Sequence, residues 1–78
     1  MTDYEHWLKK AVDKISDLES ESIFLLKELF HGTEWNTLSY GDRRELGRLF
    51  KYRVNYNTIA NVVYIGKAQN GSAKYQRI

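Results

Sequence analysis

The sequence predicts a small α+β fold, and three observations support this prediction. Apolar residues recur at helical spacing over residues 3–19. A second helical pattern follows Ser39, and two β-rich runs flank Asn70-Gly71 near the C-terminus. Asn-Gly between such runs is the strongest short-range signal for a hairpin, so the chain combines helices with an antiparallel ribbon.

The first helix is predicted over residues 3–19. Thr2, followed three residues later by Glu5, resembles a capping box and predicts the start of the helix. The polar positions alternate in charge, which is typical of a solvated face. The apolar stripe recurs at i, i+3, i+4, i+7, i+8, i+11 and i+14 and consists of Tyr4, Trp7, Leu8, Ala11, Val12, Ile15 and Leu18.

Residues 20–38 are predicted to be short, irregular elements. Ser20-Glu21-Ser22 breaks the helical pattern, and residues 23–25 are predicted to form a brief strand. Residues 26–30 would add one or two helical turns ended by His31-Gly32, with Gly32 as the C-cap. Periodicity alone does not exclude one continuous helix over residues 22–30. Residues 33–38 would connect to the next helix, with Trp35 inserted into the core.

The next helix is predicted from about Tyr40 to about Val54, with Ser39 and Asp42 at its start. Gly47 in its interior costs about 1 kcal/mol relative to alanine, which indicates that something packs close to the backbone. Arg53 falls in the apolar sector, so its stem snorkels or the helix ends before it. Leu46, Leu49, Phe50 and Val54 would face inward, and the opposite arc would hold Arg44, Arg48, Lys51 and Asn55.

The C-terminal hairpin is predicted to pair residues 62–65 with residues 73–78. A two-residue loop at Asn70-Gly71 would place Lys67 opposite Lys74, an unfavourable pair that an anionic partner would relieve. That register would also put Gly66 opposite Tyr75. A four-residue loop over residues 68–71 would separate the two lysines, so this inference depends on the register.

The element order is helix, short strand, short helix, helix and hairpin, which is the order of a winged helix-turn-helix domain. We therefore expect residues 1–78 to form a single winged-helix-like domain with a three-helix core, a short N-terminal strand and a C-terminal hairpin wing. In such domains the last core helix enters the DNA major groove and the wing contacts neighbouring backbone.

Composition excludes several classes of protein. The chain has no cysteine, and His6 and His31 have no further ligands at metal-binding spacing, so no metal or other cofactor is expected. There is no nucleotide-binding or nucleophile motif, so an enzyme is not expected. The sequence contains neither a signal peptide nor an apolar run of membrane-spanning length, and a cytoplasmic protein without a membrane partner or small-molecule substrate is predicted.

Charge is divided unequally along the chain. Residues 1–38 carry four basic and eight acidic side chains, whereas residues 39–78 carry eight basic and two acidic ones. The net charge of +2 conceals this division. A basic surface beside a neutral or acidic one is what a polyanion-binding module needs.

Three stretches of the chain have a distinctive pattern: residues 24–36, which include Glu34-Trp35-Asn36, then Gly41-Asp42-Arg43 with residues 46–50, and more weakly residues 71–75. In these stretches the chain resembles a family of small bacterial proteins found on chromosomes, phages and plasmids. Many members of that family carry a domain-of-unknown-function label, and some are named single-stranded DNA-binding protein. The resemblance therefore implies a nucleic-acid role.

Binding of nucleic acid, with DNA favoured over RNA, is the leading functional hypothesis. Tyr64 and Tyr75 would stack on bases if exposed, although strand tyrosines more often pack against a helix. The alternative is a protein-interaction adaptor or inhibitor of mobile-element origin, with a protein partner or a homodimer formed through the first helix. An ordinary solvated helix face is the structural alternative for the basic arc. The candidate nucleic-acid-binding residues are Arg43, Arg44, Arg48, Lys51, Lys67, Lys74 and Arg77.

Overall fold

The computed structural model describes residues 2–78, and their helices and strands confirm the α+β prediction. None of the helices in this range is long and apolar enough to cross a membrane. In chain order the elements are α1 (Tyr4–Ile15), β1 (Ile23–Leu25), a 3-10 turn (Leu26–Leu29), α2 (Gly32–Trp35), α3 (Tyr40–Asn55), β2 (Val62–Lys67) and β3 (Ala73–Arg77).

The three strands form one antiparallel sheet with β3 in the centre. β1 pairs with one side of β3 and β2 with the other, so the sheet order is β1-β3-β2. Tyr75 lies opposite both Phe24 on β1 and Tyr64 on β2. Because residues directly opposite each other share a face, these three rings mark the inner face of the sheet.

The core lies between that inner face and the helices. Tyr75 is only 1% exposed and meets the fully buried Phe50 of α3 edge-on, with ring centroids 4.9 Å apart. Phe24 stacks on Tyr75, with ring centroids 5.9 Å apart. Leu8 and Ala11 of α1 are buried in the same cluster. The predicted inward positions of α3 are also confirmed, with Leu46 and Val54 buried and Leu49 half-buried.

The first helix is shorter than predicted. It ends at Ile15, and the Arg77 Nε donates a 3.0 Å hydrogen bond to the Ile15 carbonyl, one of the groups that a helix end leaves without a partner. The predicted Thr2–Glu5 capping box is wrong. The N-cap is Asp3, whose side chain accepts from the His6 backbone N–H, while the Thr2 hydroxyl donates to Asp42 at 2.7 Å.

The segment between β1 and α3 also differs from prediction. The strand at Ile23–Leu25 is confirmed, and the following turn is of the 3-10 type. Gly32 is not a C-cap but the first residue of α2, because His31 adopts an extended conformation that separates the two turns. Trp35 is half-buried at the edge of the core, where it stacks on Phe30 at 5.7 Å.

The prediction for α3 is confirmed in its main features. The Ser39 hydroxyl accepts from the Asp42 backbone N–H at 3.1 Å, as expected of an N-cap. Arg53 remains within the helix, and its guanidinium pairs with Glu5 of α1. The expected close packing at Gly47 is wrong, since no heavy atom lies within 4 Å of the position that a Cβ would occupy.

The hairpin register is neither of the two considered from sequence. Lys67 pairs with Ala73, which leaves residues 68–72 as a five-residue loop. The register shifts between Tyr64 and Gly66, where Gly66 adopts a φ of 114° that is unfavourable for other residues. As a result Lys74 lies opposite Gly66, and neither the Lys67–Lys74 pair nor the Gly66–Tyr75 pair exists.

Tyr75→Phe should make the protein less sensitive to alkali. Burial, with a smaller contribution from Tyr64, raises the pKa of Tyr75 to about 12, from about 10 in an unfolded chain. Between about pH 10 and about pH 12 the Tyr75 hydroxyl is ionised in the unfolded chain but still neutral in the folded protein. The free energy of unfolding therefore falls as pH rises through this window. Urea unfolding of the variant across this window should show a shallower loss of stability than wild type.

The exposed Tyr56 provides the matched control for this experiment. Tyr56→Phe should retain the wild-type dependence on pH. Equal slopes for the Tyr75→Phe variant and wild type would contradict the burial of the Tyr75 hydroxyl.

Candidate functional site

A basic groove runs between α3 and the hairpin. Its floor and walls come from α3, the loop at residues 68–72, the junction of β1 with the 3-10 turn, and Trp35, and they enclose about 580 Å³. We define the basic groove by the six cationic side chains that line it: Lys27, Arg43, Arg44, Arg48, Lys51 and Lys67. Five of these were predicted from sequence to bind nucleic acid, so the fold brings most of the predicted set together.

Helical spacing explains why α3 supplies four of the six cations. Arg44 and Arg48 are four residues apart, and Lys51 follows three residues later, so all three lie on neighbouring turns of one face. Tyr40, at the start of α3, occupies the same face one turn before Arg44 and also lines the basic groove. This face is opposite to Leu46 and Phe50, whose burial fixes the rotation of the helix.

Arg43 is held against the edge of the core by the Glu34-Trp35-Asn36 segment. Its guanidinium carbon lies 5.8 Å from the centre of the Trp35 ring, and Nη2 lies 3.5 Å from the Asn36 side-chain oxygen. The Nε atom is buried and has no hydrogen-bond partner among residues 2–78. Glu34, in turn, pairs with Lys10 of α1, an ion pair that lowers the pKa of Glu34.

Aromatic rings support two further cations of the basic groove. The Lys51 ammonium lies 4.4 Å from the centre of the Tyr64 ring, and the Arg44 guanidinium lies 5.8 Å from that of Tyr40. Such contacts stabilise a cation without neutralising its charge. Tyr40 is 74% exposed, so its ring is also accessible to a ligand.

No carboxylate is among the residues that line the basic groove within the described chain. Arg48 alone of the six cations forms an ion pair over residues 2–78, to Glu45 at 2.5 Å, and this contact raises the pKa of Arg48. Other carboxylates are engaged elsewhere. Glu5 pairs with Arg53, Glu28 accepts from the Leu25 N–H, and Asp42 accepts from the hydroxyls of Thr2 and Tyr4.

Two predicted site residues lie outside the basic groove. Lys74 alternates with the inward-facing Tyr75 along β3, so its side chain belongs to the opposite face of the sheet. Arg77 lies at the far end of β3, where it donates to the carbonyls of Ile15 and Ile78. Sequence reasoning grouped both residues with the other hairpin cations because it did not distinguish the two faces or the two ends of the hairpin.

Sequence reasoning missed Lys27 and Tyr40 as groove residues. Tyr40 had a usable signal, because its four-residue spacing from Arg44 places both on one helix face. Lys27 had none, since its position depends on how the 3-10 turn packs against the hairpin loop. Of the tyrosines proposed to stack on bases, Tyr75 is buried in the core, which contradicts the stacking role, and Tyr64 is half-buried beneath Lys51.

A second depression, of about 460 Å³, lies between α1 and the C-terminal half of α3. Leu8, Val12, Tyr52 and Ile59 give it an apolar lining, and the Glu5–Arg53 ion pair lies at its edge. Glu5, Lys9 and Arg53 give its lining a net charge of only +1, so it attracts anions much less than the basic groove does. Residues 2–78 contain no cluster of three or more potential metal-ligating His, Asp or Glu side chains.

Comparison with known proteins provides independent information. A solved structure described as SCCmec type IV LP1413, nucleic acids binding protein, superimposes with a TM-score of 0.74 and is 29% identical. The similarity covers 100% of this chain and 89% of that one. No curated protein matches the sequence. Residues 9–77, which include every residue of the basic groove, match the family described as Domain of unknown function (DUF1413), and the chain belongs to that family.

Proposed function

We propose that the protein is a non-catalytic nucleic-acid-binding module and that DNA is its ligand. The observation that carries this proposal is the basic groove itself: over residues 2–78, six cations line one concave surface and no carboxylate does. The structural similarity to a protein described as binding nucleic acids supports the same role. Bound phosphates would displace counterions, which supplies affinity irrespective of base sequence.

The architecture supports a winged-helix scaffold for this function. The hairpin of β2 and β3 follows α3, and β1 completes the sheet beside β3, as the element order of such domains requires. In this arrangement the loop at residues 68–72 is the tip of the wing, and it lines the basic groove together with Lys67. The wing and α3 would therefore hold the same stretch of nucleic acid from two sides.

The shape of the basic groove favours a single strand over a duplex. Its volume of about 580 Å³ falls in the range of small-ligand pockets, which suits a short stretch of one strand. Arg43 and Lys51 lie half-buried within it, where phosphates of one strand can reach them. The exposed ring of Tyr40 at its edge offers an unpaired base a stacking surface. A duplex would instead contact the exposed cations, Lys27, Arg44, Arg48 and Lys67, and would reach Arg43 and Lys51 less readily.

Binding should be strong at low salt and should weaken steeply as salt increases. If about four or five phosphates are neutralised, log affinity for a single strand should fall with log salt at a slope of about −3. Arg44→Glu should weaken binding about ten-fold or more, and Arg44→Glu with Arg48→Glu should abolish it. Fluorescence anisotropy with a labelled oligothymidine measures both effects.

Lys14→Glu is the control for these charge reversals, because it changes the net charge equally on the exposed surface of α1. It should bind almost as tightly as wild type. Absence of binding by the wild-type protein at about 50 mM salt would reject the proposed function.

Lys67 and Lys74 form a matched pair that tests the assignment of the basic groove. They occupy neighbouring positions of the hairpin, but only Lys67 lines the groove. Lys67→Glu should therefore reduce affinity several-fold and make the salt slope shallower, whereas Lys74→Glu should change both much less. Equal losses from the two variants would mean that nucleic acid contacts the outer sheet face as well.

Competition among polyanions tests the choice of ligand. Unlabelled single-stranded DNA should displace the labelled oligothymidine at a lower concentration than duplex DNA or RNA of the same length. Stronger competition by duplex DNA would favour insertion of the exposed α3 face into the major groove, and stronger competition by RNA would contradict the choice of DNA.

A further inference from the structure

Gly47 occupies an unusual place in the basic groove. It lies in the interior of α3, is half-buried, and lines the groove floor. A Cβ built at this position would meet no heavy atom within 4 Å. The glycine is therefore not required by the packing of the folded chain, although it makes the helix intrinsically less stable than alanine would.

The open space beside Gly47 lies on the side of α3 that faces the basic groove. On α3 the residues one turn before and one turn after it are Arg43 and Lys51, and both line the same groove. Neighbouring turns are about 5.4 Å apart, so a cation stands at each end of a short strip of bare helix backbone. Phe50 and Leu46 occupy the adjacent core-facing positions and are fully buried, which prevents the helix from rotating to close this strip.

The two flanking cations are already oriented without a ligand. Trp35 and Asn36 hold the Arg43 guanidinium at the edge of the core, and the Tyr64 ring lies beneath the Lys51 ammonium. Neither cation forms an ion pair within residues 2–78. Preorganised charges of this kind lose little side-chain freedom when they bind an anion.

We infer that Gly47 is a contact point for the bound strand, at which the sugar-phosphate backbone of one nucleotide lies directly against α3 between Arg43 and Lys51. This inference rests on the proposed function and adds a steric requirement to an otherwise electrostatic site. Any side chain at position 47 would occupy the volume that the nucleotide fills. The same substitution should then stabilise the free protein and weaken its complex.

The test is Gly47→Ala, with Gly47→Leu as a larger substitution and Gly41→Ala as the matched control. Gly41 lies in the same helix but outside the basic groove, and its Cβ would approach only the Ser39 hydroxyl, at 4.0 Å. Stability is measured by urea denaturation and affinity by anisotropy with labelled oligothymidine over a series of salt concentrations. Because no charge changes, a steric effect should lower affinity at every salt concentration and leave the salt slope as in wild type.

The expected result is a higher urea midpoint for Gly47→Ala together with at least five-fold weaker binding, a larger loss for Gly47→Leu, and wild-type affinity for Gly41→Ala. Wild-type affinity in Gly47→Ala, or a lower urea midpoint, would overturn the inference while leaving the proposed function intact. Equal weakening by Gly41→Ala would also overturn it. Failure of the wild-type protein to bind at low salt would instead reject the proposed function, and this inference with it.

Discussion

The contact between Tyr75 and Phe50 is the interaction on which the rest of the structure depends. It joins the central strand to α3, with the rings edge-on at 4.9 Å and both almost completely buried. Phe24 and Tyr64 flank Tyr75 from the two outer strands, so one ring connects the whole sheet to the helix. Since the basic groove lies between α3 and the hairpin, its width is set by the same packing.

Features with a local physical cause were predictable from sequence. Helix α3 has an N-cap at Ser39 and, over its sixteen residues, an amphipathic period and a basic arc, and all of these were found. Strand β1 follows from a short apolar run, and the hairpin from Asn70-Gly71. The end of α1 was harder to predict from sequence, because it depends on Arg77, a residue 62 positions away that donates to the Ile15 carbonyl.

One error in the candidate site, the grouping of Lys67 with Lys74 on one face, follows from the hairpin register. Side chains alternate between the two faces of a strand, so a bulge or a change in loop length moves a residue to the other face. The five-residue loop and the irregularity before Gly66 place Lys67 and Lys74 on opposite faces, although both belong to one basic hairpin in the sequence. The outer sheet face, away from the basic groove, exposes Ile23, Val63 and Ile65.

The acidic first half and the basic second half of the chain have different roles in the fold. Several carboxylates tie elements together: Glu5 and Glu34 bridge α1 to other helices, and Asp42 holds the start of the chain. Most groove cations are left without carboxylate partners in residues 2–78, and their mutual repulsion opposes folding.

Three aromatic rings offset part of the repulsion among the groove cations, because each ring contacts a cation without neutralising it. These rings are Trp35, Tyr40 and Tyr64. A polyanion would remove the remaining repulsion, so binding and stability of the folded state should be thermodynamically linked through the basic groove.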